Sequence, residues 1–123
     1  MSKNQVLVID DEKEICFLLS NMLKKIGFEV NSANSLSEGQ ELLREKQYQL
    51  VFLDLSLPDG LGFNFISHIR KVSEKIKVVI ITAFEGNRER QRAQLEGAHY
   101  FVSKPFNKKR ILEVIAQFDT AVT

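Results

Sequence analysis

Residues 51–60 read VFLDLSLPDG, an apolar run that breaks at a carboxylate, Asp54, and then meets a Leu-Pro-Asp-Gly turn signal. Two further runs share this form. QVLVI (5–9) gives way to Asp10 and Asp11, and KVVIIT (77–82) closes on Thr82, as QLVFL (49–53) closes on Asp54. Short β-rich runs that are apolar at successive positions fit strands covered on both faces. Between the first two runs, Ile15, Leu18, Leu19, Met22, Leu23 and Ile26 recur at helical spacing before Gly27, and FEVNSA (28–33) follows as a more polar strand. Ser35 with Glu38 forms a capping pattern ahead of a second helix, whose thin apolar stripe is Leu36, Leu42 and Leu43. Phe63, Ile66, Ile69 and Val72 mark a third helix. GNRERQRAQLE (86–96) predicts a fourth, and its few apolar positions, Ala93 and Leu95, predict loose packing. AHYFV (98–102) reads as the last strand, and Ile111, Val114, Ile115 and Phe118 define a closing amphipathic helix. Buried strands alternating with helices predict βαβ crossovers, a parallel sheet and helices on both of its faces.

The chain has 123 residues, without internal repeat or low-complexity linker, and is read as one domain over 1–123, with 119–123 either a frayed end or the start of a linker. Hydrophobic residues at 44% and charged residues at 27% are a globular composition. Seventeen Lys plus Arg against sixteen Asp plus Glu leave a formal charge of +1, so no global field recruits nucleic acid or anionic membrane. Cys16 stands alone, which excludes an internal disulfide and a cysteine-rich zinc site. No apolar run approaches the roughly 18 residues of a membrane span, and the first residues turn acidic too soon for a signal peptide. A cytoplasmic protein is expected.

In open parallel α/β sheets, ligands gather outside the carboxyl ends of the strands. The residues there are Asp10, Asp11, Asp54, Thr82 and, just past the fifth strand, Lys104. Taken singly, each has a plain reading as a cap, a turn former or a β-branched residue. Together, three carboxylates on one rim would repel one another unless Lys104 or a cation offset their charge. An oxygen-only set without His or Cys favours a hard ion, Mg²⁺ over zinc. A carboxylate beside Mg²⁺ can attack phosphorus to form an aspartyl phosphate, with Thr82 offering a hydroxyl to a phosphoryl oxygen.

VLVIDDE (6–12), VFLDLSLPDG (51–60), VIITA (79–83) and GAHYFVSKPF (97–106), in this order and spacing, resemble the receiver domains of two-component response regulators over essentially the whole chain. The resemblance implies a flavodoxin-like, doubly wound (βα)5 fold with a five-stranded parallel sheet of order 2-1-3-4-5, and Asp54 as phosphoacceptor. It implies that Asp11 and Asp54 bind Mg²⁺ directly, Asp10 through water, and Ser56 through its backbone carbonyl. Lys104 would contact the phosphoryl group, with Lys104–Pro105 a cis peptide. Thr82 would move toward the phosphoryl group, and Ala83 would leave its route open and offer a backbone N–H. Phe101 would be the aromatic that turns inward with Thr82. The resemblance further implies a signalling module that is not a turnover enzyme. Its donor would be a sensor histidine kinase or histidine phosphotransfer protein, its output partner is unspecified, and a phosphorylation-dependent dimer fits. Direct contact with nucleic acid or membrane is not expected.

Other features have narrower readings. Ser56 and Phe84 occupy positions that modulate water access to the phosphoryl group in this family, so a bulky Phe84 implies slow self-dephosphorylation. Arg88, Arg90, Arg92, Lys108, Lys109 and Arg110 form either a basic output patch or a solvated surface salt-bridged with Glu89, Glu96 and Glu113. His68 and His99 are isolated, and His99 and Tyr100 are read as surface or rim residues. Asp59 is read as part of the turn only. A haloacid dehalogenase-type phosphatase would need an acid where Ser56 stands. A flavodoxin-like cofactor binder would need a hydroxyl- or glycine-rich loop where Asp10-Asp11-Glu12 stands.

Overall fold

A computed structural model describes residues 4–83 and 86–122. Strand β1 (Gln5–Ile9) leads to α1 (Lys13–Lys25), β2 (Glu29–Ala33) to α2 (Leu36–Glu45), and β3 (Leu50–Asp54) to α3 (Phe63–Val72). Strand β4 (Lys77–Thr82) leads to α4 (Asn87–Glu96), and β5 (Tyr100–Ser103) to α5 (Lys108–Val122). The five strands form one parallel sheet in the order β2-β1-β3-β4-β5. This is the flavodoxin-like, doubly wound arrangement. A two-residue antiparallel ladder, Ser56–Leu57 against Gly60–Leu61, stiffens the loop after β3.

Alternation along the strands divides the core into two layers. Leu7, Ile9, Val51, Leu53, Val78 and Ile80 face one layer, where Leu43, Phe63, Ile66, Ile69 and Ala93 bring in α2, α3 and α4. Val6, Val8, Leu50, Phe52, Val79 and Ile81 face the other, where Leu19, Leu23, Ile111, Val114 and Ile115 bring in α1 and α5. Nearly every one of these side chains is fully buried, which is why the strand sequences are apolar throughout rather than alternating.

The helix ends follow local chemistry. Ser35 caps α2, its side-chain oxygen accepting from the Glu38 N–H at 3.2 Å. At α1, Glu12 occupies the cap position without a side-chain cap bond, and Asp10 Oδ1 accepts from the Glu12 N–H at 2.8 Å. The helix start is therefore tied to the strand-end acid. In α4 only Ala93 is buried, and Leu95 is 87% exposed. Polar and aromatic contacts with α3 seat this helix instead: the Arg92 guanidinium lies 4.3 Å from the Phe63 ring centroid, and Ser67 donates to Glu96 at 2.5 Å.

His99 extends the β4–β5 ladder with its side chain. Its peptide N–H donates to the Val78 carbonyl at 2.8 Å, while its Nδ1 accepts from the Val78 N–H at 3.1 Å. His99 is exposed at the sheet edge, as a rim residue should be, and its imidazole also completes backbone pairing there. Burial, together with the charges of Lys77 and Arg70, lowers its pKa below 6.5. The neutral ring is thus favoured in the folded state, and its stabilisation is full above pH 6.5 and is lost as pH falls through the folded pKa. His99→Ala is expected to cost about 1 kcal/mol at neutral pH by unpairing the Val78 N–H. The stability difference between wild type and variant in urea melts should shrink below pH 6.5; a constant difference would remove the imidazole from this role. Asp10, raised by burial, contributes a pH slope of opposite sign in both proteins, so the difference isolates His99.

Candidate functional site

The site sits where the strand order reverses, at the carboxyl ends of the neighbouring strands β1 and β3. Asp54, the last residue of β3, is 4% exposed; Asp10, just past β1, is fully buried; Thr82, closing β4, is 1% exposed. Asp11, Glu12, Ser56 and Ala83 are exposed around them. With Lys104, the residues Asp11, Glu12, Asp54, Ser56, Thr82 and Ala83 line a cleft of about 300 Å³.

Lys104 organises the charge. Its Nζ lies 2.8 Å from Asp10 Oδ2, 2.9 Å from Glu12 Oε1 and 3.1 Å from Asp54 Oδ2. The contact with Asp10 is the shortest of the three and gives the buried Oδ2 its charge compensation. Burial pulls the Lys104 pKa down, but Asp10, Glu12 and Asp54 outweigh it and hold the ammonium above its usual value. Burial pushes the Asp10 carboxyl up against the opposing pull of Lys104, and the Asp54 charge adds to the rise. The Lys104 peptide N–H donates to the Thr82 carbonyl at 2.8 Å, and the Lys104–Pro105 peptide is cis.

Behind the acids, the backbone is closely held. The Asp10 carbonyl accepts from Asn34 Nδ2 at 2.9 Å and from the Cys16 thiol at 3.2 Å. Burial pushes that thiol's pKa up to about 11, so Cys16 is an unreactive donor. Asp54 Oδ1 accepts from the Ser56 N–H at 3.1 Å. A Cβ on Gly62 would stand 2.9 Å from the Asp54 carbonyl oxygen, so only glycine lets the start of α3 approach β3 this closely.

The carboxylates of Asp10, Asp11, Glu12 and Asp54 offer oxygens that all lie within 4.8 Å of one another. Four carboxylates against the one ammonium of Lys104, all offering hard oxygen donors and none of them His or Cys, make a set suited to a hard divalent cation. The residues present therefore fit Mg²⁺.

The seven residues Asp10, Asp11, Asp54, Ser56, Thr82, Ala83 and Lys104 come together here, whereas Phe101 stands apart on the edge strand β5. Its partly buried ring lies 4.9 Å from the Arg90 guanidinium, and its carbonyl accepts from Arg110 Nη2 at 3.2 Å. Arg90, Arg92 and Arg110 thus engage rings and a carbonyl, and the ion pairs among the described residues converge on Lys104. Phe84 lies outside the described residues. Sequence reasoning overlooked Glu12 and Asn34. Glu12 stood within the acidic motif, but its partner is 92 positions away; nothing in the sequence around Asn34 marks it.

Fold and site define a parallel α/β domain with an acidic, lysine-bridged pocket at its switch point. The family model of the response regulator receiver domain matches residues 6–116, and the chain belongs to that family. It is 32% identical over 116 residues to the response regulator protein PilR of Pseudomonas aeruginosa, covering 94% of this chain and 26% of that protein. The non-phosphorylated HemR receiver domain of Leptospira biflexa superposes with a TM-score of 0.87 at 33% identity, covering 94% of this chain and 93% of that one. The beryllofluoride-activated NtrC4 receiver domain dimer matches with a TM-score of 0.87 at 34% identity, over 92% of this chain and 93% of that one. The chain spans between 26% and 52% of the length of the curated relatives it first matches. Among the described residues, no helix is long and apolar enough to cross a membrane.

Proposed function

We propose that this receiver domain accepts a phosphoryl group from a phosphohistidine onto Asp54 in a Mg²⁺-dependent transfer. The observation that carries the reading is Asp54 at the floor of the acidic cleft, nearly buried, with Lys104 Nζ at 3.1 Å. An Asp54 carboxylate oxygen forms the new P–O bond as the P–N bond to the donor imidazole breaks, and the electron pair leaves with the ring nitrogen. Asp11, Asp54 and the Ser56 carbonyl would hold Mg²⁺, with Asp10 acting through water. When bound, the ion offsets charge on the transferring oxygens. Lys104, released from part of its carboxylate cage, pairs with a phosphoryl oxygen, and the Thr82 hydroxyl and Ala83 N–H donate to others.

The response follows from movement of Thr82. Drawn toward the phosphoryl group, it vacates space toward β5, and Phe101 turns into that space. The surface of α4, β5 and α5 changes with it, and this surface carries the output. A sensor histidine kinase or histidine phosphotransfer protein supplies the phosphoryl group in the cytoplasm, and the output partner is a further domain or protein. The dimer of the activated NtrC4 receiver supports phosphorylation-dependent self-association here as well.

Incubation with a small acyl phosphate tests the transfer. In Mg²⁺ the intact mass should rise by one phosphoryl group, and in EDTA it should not. Borohydride reduction of the adduct should convert residue 54 to homoserine. Homoserine at another position would displace the assignment.

A further inference from the structure

The acids of the site come from two separate chain segments, Asp10 and Asp11 after β1, and Asp54 with Ser56 after β3. A connection runs behind the cleft between these arms. Asp59, in the loop after β3, reaches the start of α2, where Oδ1 accepts from the Leu36 N–H at 2.9 Å and Oδ2 from the Ser37 N–H at 3.0 Å. With Ser35 Oγ on the Glu38 N–H, the three free donors of the first turn, at Leu36, Ser37 and Glu38, are satisfied, and the Ser35 carbonyl takes the first intrahelical bond from the Gly39 N–H. Two of the three are served by a residue more than twenty positions away. Those two backbone donors hold the Asp59 carboxyl below its usual pKa.

The loop that carries Asp59 is braced onto Ser56. The ladder pairs Ser56 with Leu61 and Leu57 with Gly60, and the Gly62 N–H donates to the Leu55 carbonyl at 2.8 Å. At the other end, the start of α2 is pressed against β1, since a Cβ on Gly39 would stand 2.6 Å from Ile9 Cδ1. Two residues before the helix, Asn34 donates to the Asp10 carbonyl at 2.9 Å.

We infer that Asp59 and Asn34 form a strap, through the first turn of α2, that sets the separation of the two acidic arms and so the affinity of the site for Mg²⁺. They are positioning residues. The inference rests on the metal-dependent reading above, because it gives Ser56 and the acids their common ligand. Outer partners that orient metal ligands typically change affinity by about 10–100-fold when removed.

The test is the Kd for Mg²⁺ alone, without phosphodonor, from amide NMR titration of the folded protein with MgCl₂. Asp59→Ala and Asn34→Ala should each weaken binding by about 10-fold, and the double variant by much less than the product of the two. Asp59→Asn retains one acceptor oxygen and should fall between wild type and Asp59→Ala. Ser35→Ala removes a cap from the same helix without cutting the strap, and should lower the melting temperature but leave the Kd unchanged. Equal weakening by Ser35→Ala would reduce the effect to helix stability and overturn the strap, as would an unchanged Kd in Asp59→Ala and Asn34→Ala. If Asp59→Ala does not fold, Asp59→Asn and Asn34→Ala decide the matter by the same criterion. Wild-type protein that fails to bind Mg²⁺ would overturn the metal site and the strap together, whereas binding that Asp11→Asn weakens and the strap variants do not would overturn the strap alone.

Discussion

Asp54→Asn is expected to lose the phosphate adduct altogether while keeping the fold. The amide has the shape of the carboxylate but lacks the anionic oxygen that the proposed transfer needs as its nucleophile. Its side-chain oxygen can still accept from the Ser56 N–H, which Asp54 Oδ1 does at 3.1 Å, so the loop after β3 keeps its local anchor. Lys104 keeps Asp10 at 2.8 Å and Glu12 at 2.9 Å, so the ammonium is not stranded. The Asp10 carboxyl loses a neighbouring negative charge that adds to its raised pKa, which offsets the missing Lys104 contact. Intact mass after treatment with a small acyl phosphate and Mg²⁺ reads the outcome. An adduct at wild-type level would move the phosphoacceptor to a neighbouring acid such as Asp11.

Lys104→Met is expected to produce the largest loss of stability at the site. The lysine side chain is 11% exposed, and two of its partners, Asp10 and Asp54, have side chains 0% and 6% exposed. Removing one partner of so enclosed a set leaves like charges facing each other in a poorly solvated cleft, at a typical cost of about 3–5 kcal/mol. Asp10, already raised by burial, can relieve part of this by taking up a proton, so the loss should be largest at neutral pH and smaller in acid. Mg²⁺ should then stabilise the variant more than it stabilises wild type, since the ion takes over the charge compensation that the ammonium supplies. Urea melts in EDTA and in Mg²⁺ read both effects. Equal stability of the two proteins in EDTA would show that the ion pairs contribute nothing net. Adding Asp10→Asn to Lys104→Met should restore part of the loss, as expected for groups in direct contact.

Much of the fold was legible because strands covered on both faces leave a plain record. QVLVI, QLVFL and KVVIIT are apolar at consecutive positions, and each is a sheet strand with alternate residues in opposite core layers. The last strand was less sharply marked: AHYFV starts two residues before β5, because His99 pairs with Val78 through both its backbone and its imidazole. The fourth helix was legible as an element and in its sparse apolar packing, with Ala93 alone buried, but not in its polar anchors. Its anchor is an arginine over Phe63 and a glutamate accepting from Ser67, contacts that leave no apolar periodicity in the sequence.

The candidate site divides in the same way. A carboxylate that ends a buried run is conspicuous from sequence alone, because the consecutive apolar residues fix where the strand stops and the acid stands at its end. That determined the strand ends Asp10, Asp54 and Thr82 and the rim they share. Which groups stand behind them was decided by tertiary structure, since hydrogen-bond partners depend on proximity in space and carry no periodic signature. Glu12 meets Lys104 across 92 positions, Asn34 holds the Asp10 carbonyl across 24, and Asp59 caps a helix that precedes it in the chain by more than twenty. Asp59 reads in sequence as a turn residue because Pro58 and Gly60 flank it. It becomes a link between the two acidic arms only when the chain crossovers bring α2 beside the loop after β3.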